Sequence, residues 1–437
     1  VKNSLTINQR NYILYHLAFS VNISSEIASK FVFGSLGKEK ICFVENKNIF
    51  DEKNITNINN IPILFPGKAD EPIYTLDKGT LVFHHDLFRS AFYLLSGYQE
   101  YGSNKKDDLG RFPYEASLQS KLKVMTRPLV NEYFELIHEG ISNYCNYHNI
   151  DYKKPSFFEN PTLFLTHDID RIDKYTFNMV KGKLKKKNYK DALIWFFKWV
   201  NPLYTKNPKW TYDYLMEVEK SREINSTYFF LNRGVKHIDS YYSFQDRRIK
   251  ELINDLEIFG SEIGLHGSVR TGADIEIMKT DLGSLSKTAK LPIRGNRQHR
   301  LLFKLPRTMI NLEKSGFIYD SSLGFAAHEG FRNSYCLPFK LFDFENDKMI
   351  DVWEIPLNVM DVTLFTYRDL DFNTAMESIA KIKEEIKRYK GIFTLLFHPD
   401  FLDEEEHPGI REFYEKVLDR FIQDDFVSFN TTSLMSL

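Results

Sequence analysis

The 437 residues exceed one ordinary domain and point to two. A hydrophobic fraction of 43%, with 37 Phe and 24 Tyr, is ample for large cores, and a net charge of -1 excludes a global field that would select nucleic acid or acidic ligands. Three scattered cysteines, Cys42, Cys145 and Cys336, argue against a disulfide framework and a thiolate zinc site.

The first residues hold no apolar signal core and no run is long enough to span a bilayer, so a cytoplasmic protein is expected. Apolar residues at helical spacing predict an amphipathic helix over 7–20. Short strands are predicted at 40–45, 61–66 and 80–83. Asp86 is a plausible N-cap for a helix through Phe88, Ala91, Phe92, Leu94 and Leu95, ended by Gly97. The polar stretch 101–113 reads as a loop. Pro128 suits the first turn of a helix through Val130, Tyr133, Phe134, Ile137 and Ile141. This first third shows no catalytic cluster, and His84-His85-Asp86 reads as a strand end beside a helix cap rather than a metal site. Residues 1–155 are expected to form a smaller α/β domain, with a linker at 152–159.

The apolar run 162–165 ends in Thr166-His167-Asp168-Ile169-Asp170, the pattern of a buried strand whose end opens into a site. Alternation puts Asp168 and Asp170 on one side and His167 on the other. Two carboxylates this close repel unless a cation or proton lies between them. The spacing suits one carboxylate on a metal and the other taking a proton from bound water; the plain alternative is a strand end with a turn-forming Asp.

Residues 174–209 form an insertion in which Lys181, Lys183, Lys185, Lys186 and Lys187 lead into Leu193, Ile194, Trp195, Phe196, Phe197 and Trp199. A basic helix beside an aromatic one suits an anionic membrane surface, or a flap packed on the domain with a solvated lysine face. The flap is the favoured expectation. Beyond residue 212 helices and strands alternate, with strands at 226–231, 262–265, 292–295, 317–320, 352–357, 392–397 and 426–429. Helices are predicted at 214–223, 249–259, 275–289, 306–314, 373–389 and 410–422. Such alternation implies a parallel sheet, open or closed into a barrel, with chemistry at the strands' carboxyl ends. Polar groups recur at those ends: His266-Gly267-Ser268, Arg294 to His299, Asp320-Ser321-Ser322 and His398-Pro399-Asp400.

These segments, over residues 160–437, resemble the polysaccharide deacetylase family, also called the NodB-homology or carbohydrate esterase family four. The resemblance implies a distorted (β/α) barrel and a mononuclear divalent metal, commonly zinc. Thr166 to Asp170 resembles the first motif, which makes Asp168 the general base and Asp170 a metal ligand. Glu262 to Ser268 resembles the second, which makes His266 a ligand. Residues 294–299 take the place of the third, whose Arg orients the base; Arg294 and Arg297 are both candidates. Asp320 to Leu323 resembles the fourth, which lines the cleft, and Leu395 to His398 the fifth, whose His398 is the general acid. The first third, with Phe92 to Ser96 and Gln99 to Tyr101, resembles an accessory domain found before such deacetylases in bacteria.

One departure stands out. The family's second motif carries another metal-binding His where this chain has Arg270, and a guanidinium stays protonated. His299 is the candidate substitute and His328 the second choice. The implied reaction is removal of an N-acetyl or similar acyl group from a sugar of a cell-surface polysaccharide or its precursor. Asp168 takes the proton of water, with Arg294 or Arg297 holding it ionised, and His398 protonates the departing amine, with Asp320 or Asp400 raising its pKa. The rival expectations are a glycan-binding protein with an impaired site, an amidohydrolase for a small non-sugar C–N substrate, and a membrane-surface anchor at 174–209. The chain has no nucleotide-binding glycine motif, no Gly-x-Ser-x-Gly and no RNA-binding pattern.

Overall fold

A computed structural model describes residues 4–20, 23–153, 157–201, 207–235 and 238–436. The first third contains β1 (Phe31–Phe33), β2 (Ile41–Phe43), β3 (Thr56–Ile58), β4 (Ile61–Ile63), β5 (Tyr74–Asp77) and β6 (Thr80–Phe83). They form a four-stranded sheet, β1-β2-β6-β5, and a β3-β4 hairpin. The helix Leu87–Leu95 starts where expected, because Asp86 accepts a hydrogen bond from the Arg89 N–H at 2.9 Å. Gly97 follows its end at φ +73°, a left-handed turn that glycine adopts without a Cβ clash. Pro128 sits at the N-cap itself, just before the helix Leu129–His148, rather than inside the first turn.

The large sheet is built from β7 (Thr162–Ile169), β8 (Ser226–Leu231), β9 (Glu262–Gly267), β10 (Gly295–Gln298), β11 (Tyr319–Asp320), β12 (Phe339–Asp343), β13 (Lys348–Glu354), β14 (Val359–Met360), β15 (Ile392–Leu396) and β16 (Val427–Ser428). Its order is β12-β13-β11-β10-β9-β8-β7-β15-β14, parallel except for β12, with β16 beside the first residues of β7. Among the described residues no ladder joins β14 back to β12, so the expected barrel is an open, curled sheet. The curl is evident in side-chain reach: Arg297 on β10 touches Thr166 and Asp168 on β7, across two intervening strands. β7 and β8 are buried along their whole length, as strands covered on both faces must be.

Several strands differ from expectation: β1, β3, β5, β12 and β14 have no counterpart among the expected strands, and β13 begins at Lys348 rather than at 352. The stretch expected at 292–295 is extended only from Gly295 to Gln298, so the strand lies three residues later. β12 precedes a polar turn and pairs antiparallel at the sheet's edge; its five residues are too few for alternation to separate it from a loop.

The first third is packed against this sheet. From the helix Ile7–Ser20, Tyr12 meets Phe342 edge-on at 5.2 Å and Phe19 meets Trp353 at 5.6 Å. Tyr12 Oη donates to the Lys340 carbonyl at 2.9 Å, and Arg332 pairs with Glu100 at 2.5 Å, both ionic groups buried. One apolar core therefore runs through both regions.

Candidate metal centre

The carboxyl ends of β7, β9 and β10 converge on one cleft of about 220 Å³. Asp168 and Asp170 both line it, while His167 faces away, with Nδ1 on the Phe397 carbonyl at 2.7 Å and Nε2 3.0 Å from Glu219. Period-two alternation at the end of β7 is sufficient to produce this split.

Ligand atoms of Asp170, His266 and His299 lie within 4.8 Å of one another. His266 Nε2 is 3.3 Å from Asp170 Oδ1, and His299 Nε2 is 3.5 Å from Asp170 Oδ2. Two atoms each bound at ~2.1 Å to a tetrahedral ion are about 3.4 Å apart, so these separations suit a shared divalent cation. The far side of each ring is engaged: His266 Nδ1 with the Arg297 carbonyl and His299 Nδ1 with Asp239 Oδ1, both at 2.9 Å. A ring that donates from Nδ1 presents its Nε2 lone pair, the arrangement of metal-bound imidazole. Asp170 Oδ1 is buried without a hydrogen-bond partner among the described residues, so a cation would satisfy it. The donor set, two imidazoles and a carboxylate with one side open, fits zinc or a similar ion.

The electrostatics agree. Burial alone would raise the Asp170 carboxyl, but His299 and then His266 pull it well below the usual carboxylate range. Burial would lower His299, yet Asp170 and Asp239 outweigh it and raise the imidazole to about 9. A carboxylate that stays ionised and stabilises positive charge on its neighbours also favours a divalent cation, which would displace the imidazole proton.

Around this core stand two further groups. Asp168 Oδ2 is 3.6 Å from His266 Nε2, and its Oδ1 receives the Arg297 Nη1 hydrogen bond at 3.1 Å. Arg297 is fully buried and spreads its other donors over Thr166 Oγ1, the Ser321 carbonyl and Ser321 Oγ. His398 approaches from β15, its Nε2 4.0 Å from Asp170 Oδ2. Asp361 accepts from both His398 Nδ1 at 2.7 Å and the His398 backbone N–H at 2.6 Å. Burial would lower the His398 imidazole, but Asp361, helped by Asp170 and Asp168, raises it to about 10.

Other expected residues are elsewhere. Arg294 precedes β10, at the opposite end of the strand from His299, so only Arg297 reaches Asp168. Asp320 is buried beside the cleft but spends its oxygens on Asn296 and the Ser322 N–H, and burial raises its pKa; it does not touch His398. Asp400 pairs with Lys209 at 3.1 Å. The role expected of Asp320 or Asp400 thus falls to Asp361, which follows the two-residue β14, too short to show a period. Arg270 is exposed in a turn, outside the cluster, and His328 is bonded to the Glu329 carbonyl and packed against Tyr114, with ring centroids 4.5 Å apart.

Three further residues escaped the sequence reading. Asp239 lies in the polar connection after β8, where nothing in the spacing marks it. Leu109 and Arg111 line the cleft, although their loop belongs to the first third. Arg111 is held by Asp107 at 2.7 Å and donates to the Arg300 carbonyl at 3.0 Å. Arg300 and Leu301 occupy the left-handed region at φ +59° and +54°, a costly conformation for two successive non-glycine residues. This turn directs the chain away immediately after His299, and Arg111 braces it from the other region.

Comparisons with known proteins add the following. Residues 4–146 match a family of unknown function, DUF7033. No curated protein matches the chain. Solved structures similar to it include a provisionally assigned polysaccharide deacetylase from Mycobacterium smegmatis, 17% identical, covering 64% of this chain and 92% of that one, with a TM-score of 0.43. A carbohydrate esterase family four pseudoenzyme from Bacillus anthracis is 10% identical and covers 63% of this chain and 66% of that one, with a TM-score of 0.34. The peptidoglycan deacetylase PdaC from Bacillus subtilis, as a mutant, is 11% identical and covers 64% and 91%, with a TM-score of 0.31.

Proposed function

We propose that the chain is a metal-dependent hydrolase that removes N-acetyl or similar acyl groups from a carbohydrate of a bacterial cell surface or its precursor. The observation that carries this reading is the Asp170–His266–His299 cluster, with both Nδ1 atoms occupied and Asp168 beside it. Zinc is the ion best suited to these donors. When bound there, a divalent cation supplies Lewis acidity, lowering the pKa of water and polarising an acyl carbonyl.

The chain's own groups do the rest. Asp168 accepts the proton of the attacking water and is kept in place by the buried Arg297 guanidinium. His398, kept protonated by Asp361, gives its proton to the departing nitrogen. The two groups lie at the carboxyl ends of neighbouring strands, β7 and β15, and flank Asp170, so a C–N bond held between them would be served from two sides. Leu109, Tyr241 and Tyr367 wall the cleft and offer apolar surface to a bound substrate.

The cleft's volume of about 220 Å³ is below the ~300–1,000 Å³ of typical drug-sized sites, which suits one acylated sugar unit at a time. The same size supports a second reading, an amidohydrolase for a small non-sugar C–N substrate. Acyl release from N-acetylated oligosaccharides and from small amides, measured in parallel with the zinc-loaded protein, separates the two. Asp168→Asn is expected to retain one equivalent of metal and to lose at least a thousandfold in turnover. Near-normal turnover in that variant would remove Asp168 as the base.

A further inference from the structure

The insertion after β7 folds into two helices, Phe177–Lys185 and Tyr189–Val200, packed on each other as a hairpin. Its root is secured: Lys174 pairs with Asp403 at 2.6 Å and Tyr175 Oη donates to Glu405 at 2.7 Å. Its outer side contradicts the expectation of a packed flap. In the second helix, Asp191, Ala192, Trp195 and Lys198 recur at helical spacing and face inward, and only Ala192 is buried. The remaining positions expose Leu193 at 58%, Phe197 at 59%, Trp199 at 43% and Val200 at 48%, and Phe177 on the first helix is 57% exposed. A helix of a water-soluble domain normally turns such residues toward its core. A contiguous exposed apolar patch marks an interaction surface.

Charge identifies the partner. Residues 174–200 hold eight lysines against one acid, Asp191, which is taken by Lys183 at 3.1 Å. Lys181, Lys185, Lys186, Lys187 and Lys190 are exposed and make no ion pair among the described residues. Exposed aromatic and aliphatic side chains beside unpaired lysines match the interface of an anionic bilayer, where rings enter the headgroup boundary and ammonium groups meet lipid phosphates. Neither helix is long or apolar enough to cross a membrane. We propose that the 174–200 hairpin docks the protein on an anionic phospholipid surface without spanning it. A groove of about 350 Å³, lined by Thr176 and Met179 at the hairpin and by Arg171 and Asp170 at the cleft, connects the hairpin to Asp170.

The test is co-sedimentation of the full chain with phosphatidylcholine vesicles, with and without 30% phosphatidylglycerol. The circular-dichroism spectrum and melting temperature serve as the folding control and neither metal nor activity is read, so the outcome is independent of the hydrolase reading. Binding to the anionic vesicles alone is expected. K185E/K186E/K187E is expected to weaken it at least a hundredfold, since removal of each lysine near such a surface accounts for about fivefold and the glutamates add repulsion. F197S/W199S, which leaves the lysines intact, is expected to abolish it. Equal binding to neutral vesicles, or full binding in either variant when folded, overturns the proposal. So does a concentration-dependent dimer, lost in F197S/W199S, in a protein that binds no vesicle; that result assigns the face to a second copy of the chain.

Discussion

Asp239→Asn tests the metal centre through a residue that touches no metal. Asp239 accepts from His299 Nδ1 at 2.9 Å, and its side chain is fully buried. The substitution removes the carboxylate that fixes the ring's tautomer and enriches its Nε2 lone pair. Outer partners of this kind are worth ~10–100-fold in metal affinity, or about 1.4–2.8 kcal/mol. The same carboxylate also accepts the Val235 N–H at 2.8 Å and the Val269 N–H at 3.2 Å, so an amide there loosens the connection as well. Zinc affinity by competition with a chromophoric chelator, together with the melting temperature of the metal-free protein, separates the two effects. The expected result is a loss of affinity that exceeds any loss of apo stability. An unchanged zinc affinity, with His299→Ala still abolishing binding, would refute the assignment of Asp239. Equal affinities for both variants and the parent chain would refute the cluster itself.

Asp361→Asn removes the main group raising His398, so the alkaline fall in turnover, which follows deprotonation of the acid, is expected at lower pH than in the parent chain; a pH–rate profile measures it. His16 is fully buried with neither ring nitrogen bonded among the described residues, and burial lowers it to about 3. Its folded pKa lies below the unfolded value of about 6.5, so the associated stability is whole above that pH and lost as pH falls toward 3, by about 2 kcal/mol at pH 5. Denaturant titrations at pH 7 and pH 5 are expected to show that loss in the parent chain and a smaller one in His16→Leu. Arg111→Ala frees the turn after His299 and opens the cleft wall, so KM is expected to rise severalfold while zinc affinity stays within twofold.

Local pattern carried much of this protein. Alternation in β7 placed Asp168 and Asp170 together and turned His167 away, because a strand has no other way to distribute successive side chains. The caps at Asp86 and Gly97, and most helices of the second region, were likewise written in neighbouring residues. Strand ends at 166–170, 262–268 and 395–398 showed where polar groups would gather, since parallel strands bring their carboxyl ends to one rim. What local pattern leaves open is partnership across the fold. Arg297 rather than Arg294 reaches Asp168 because β10 begins later than its sequence indicates. Asp361 rather than Asp320 or Asp400 holds His398, and Asp239 holds His299, because curling of the sheet selects among carboxylates that look alike in sequence. The contribution of Leu109 and Arg111 depends on how the first third packs on the sheet. The exposure of the hairpin's aromatic side was also decided in three dimensions: periodicity says which residues share a face, and only packing says whether anything covers it.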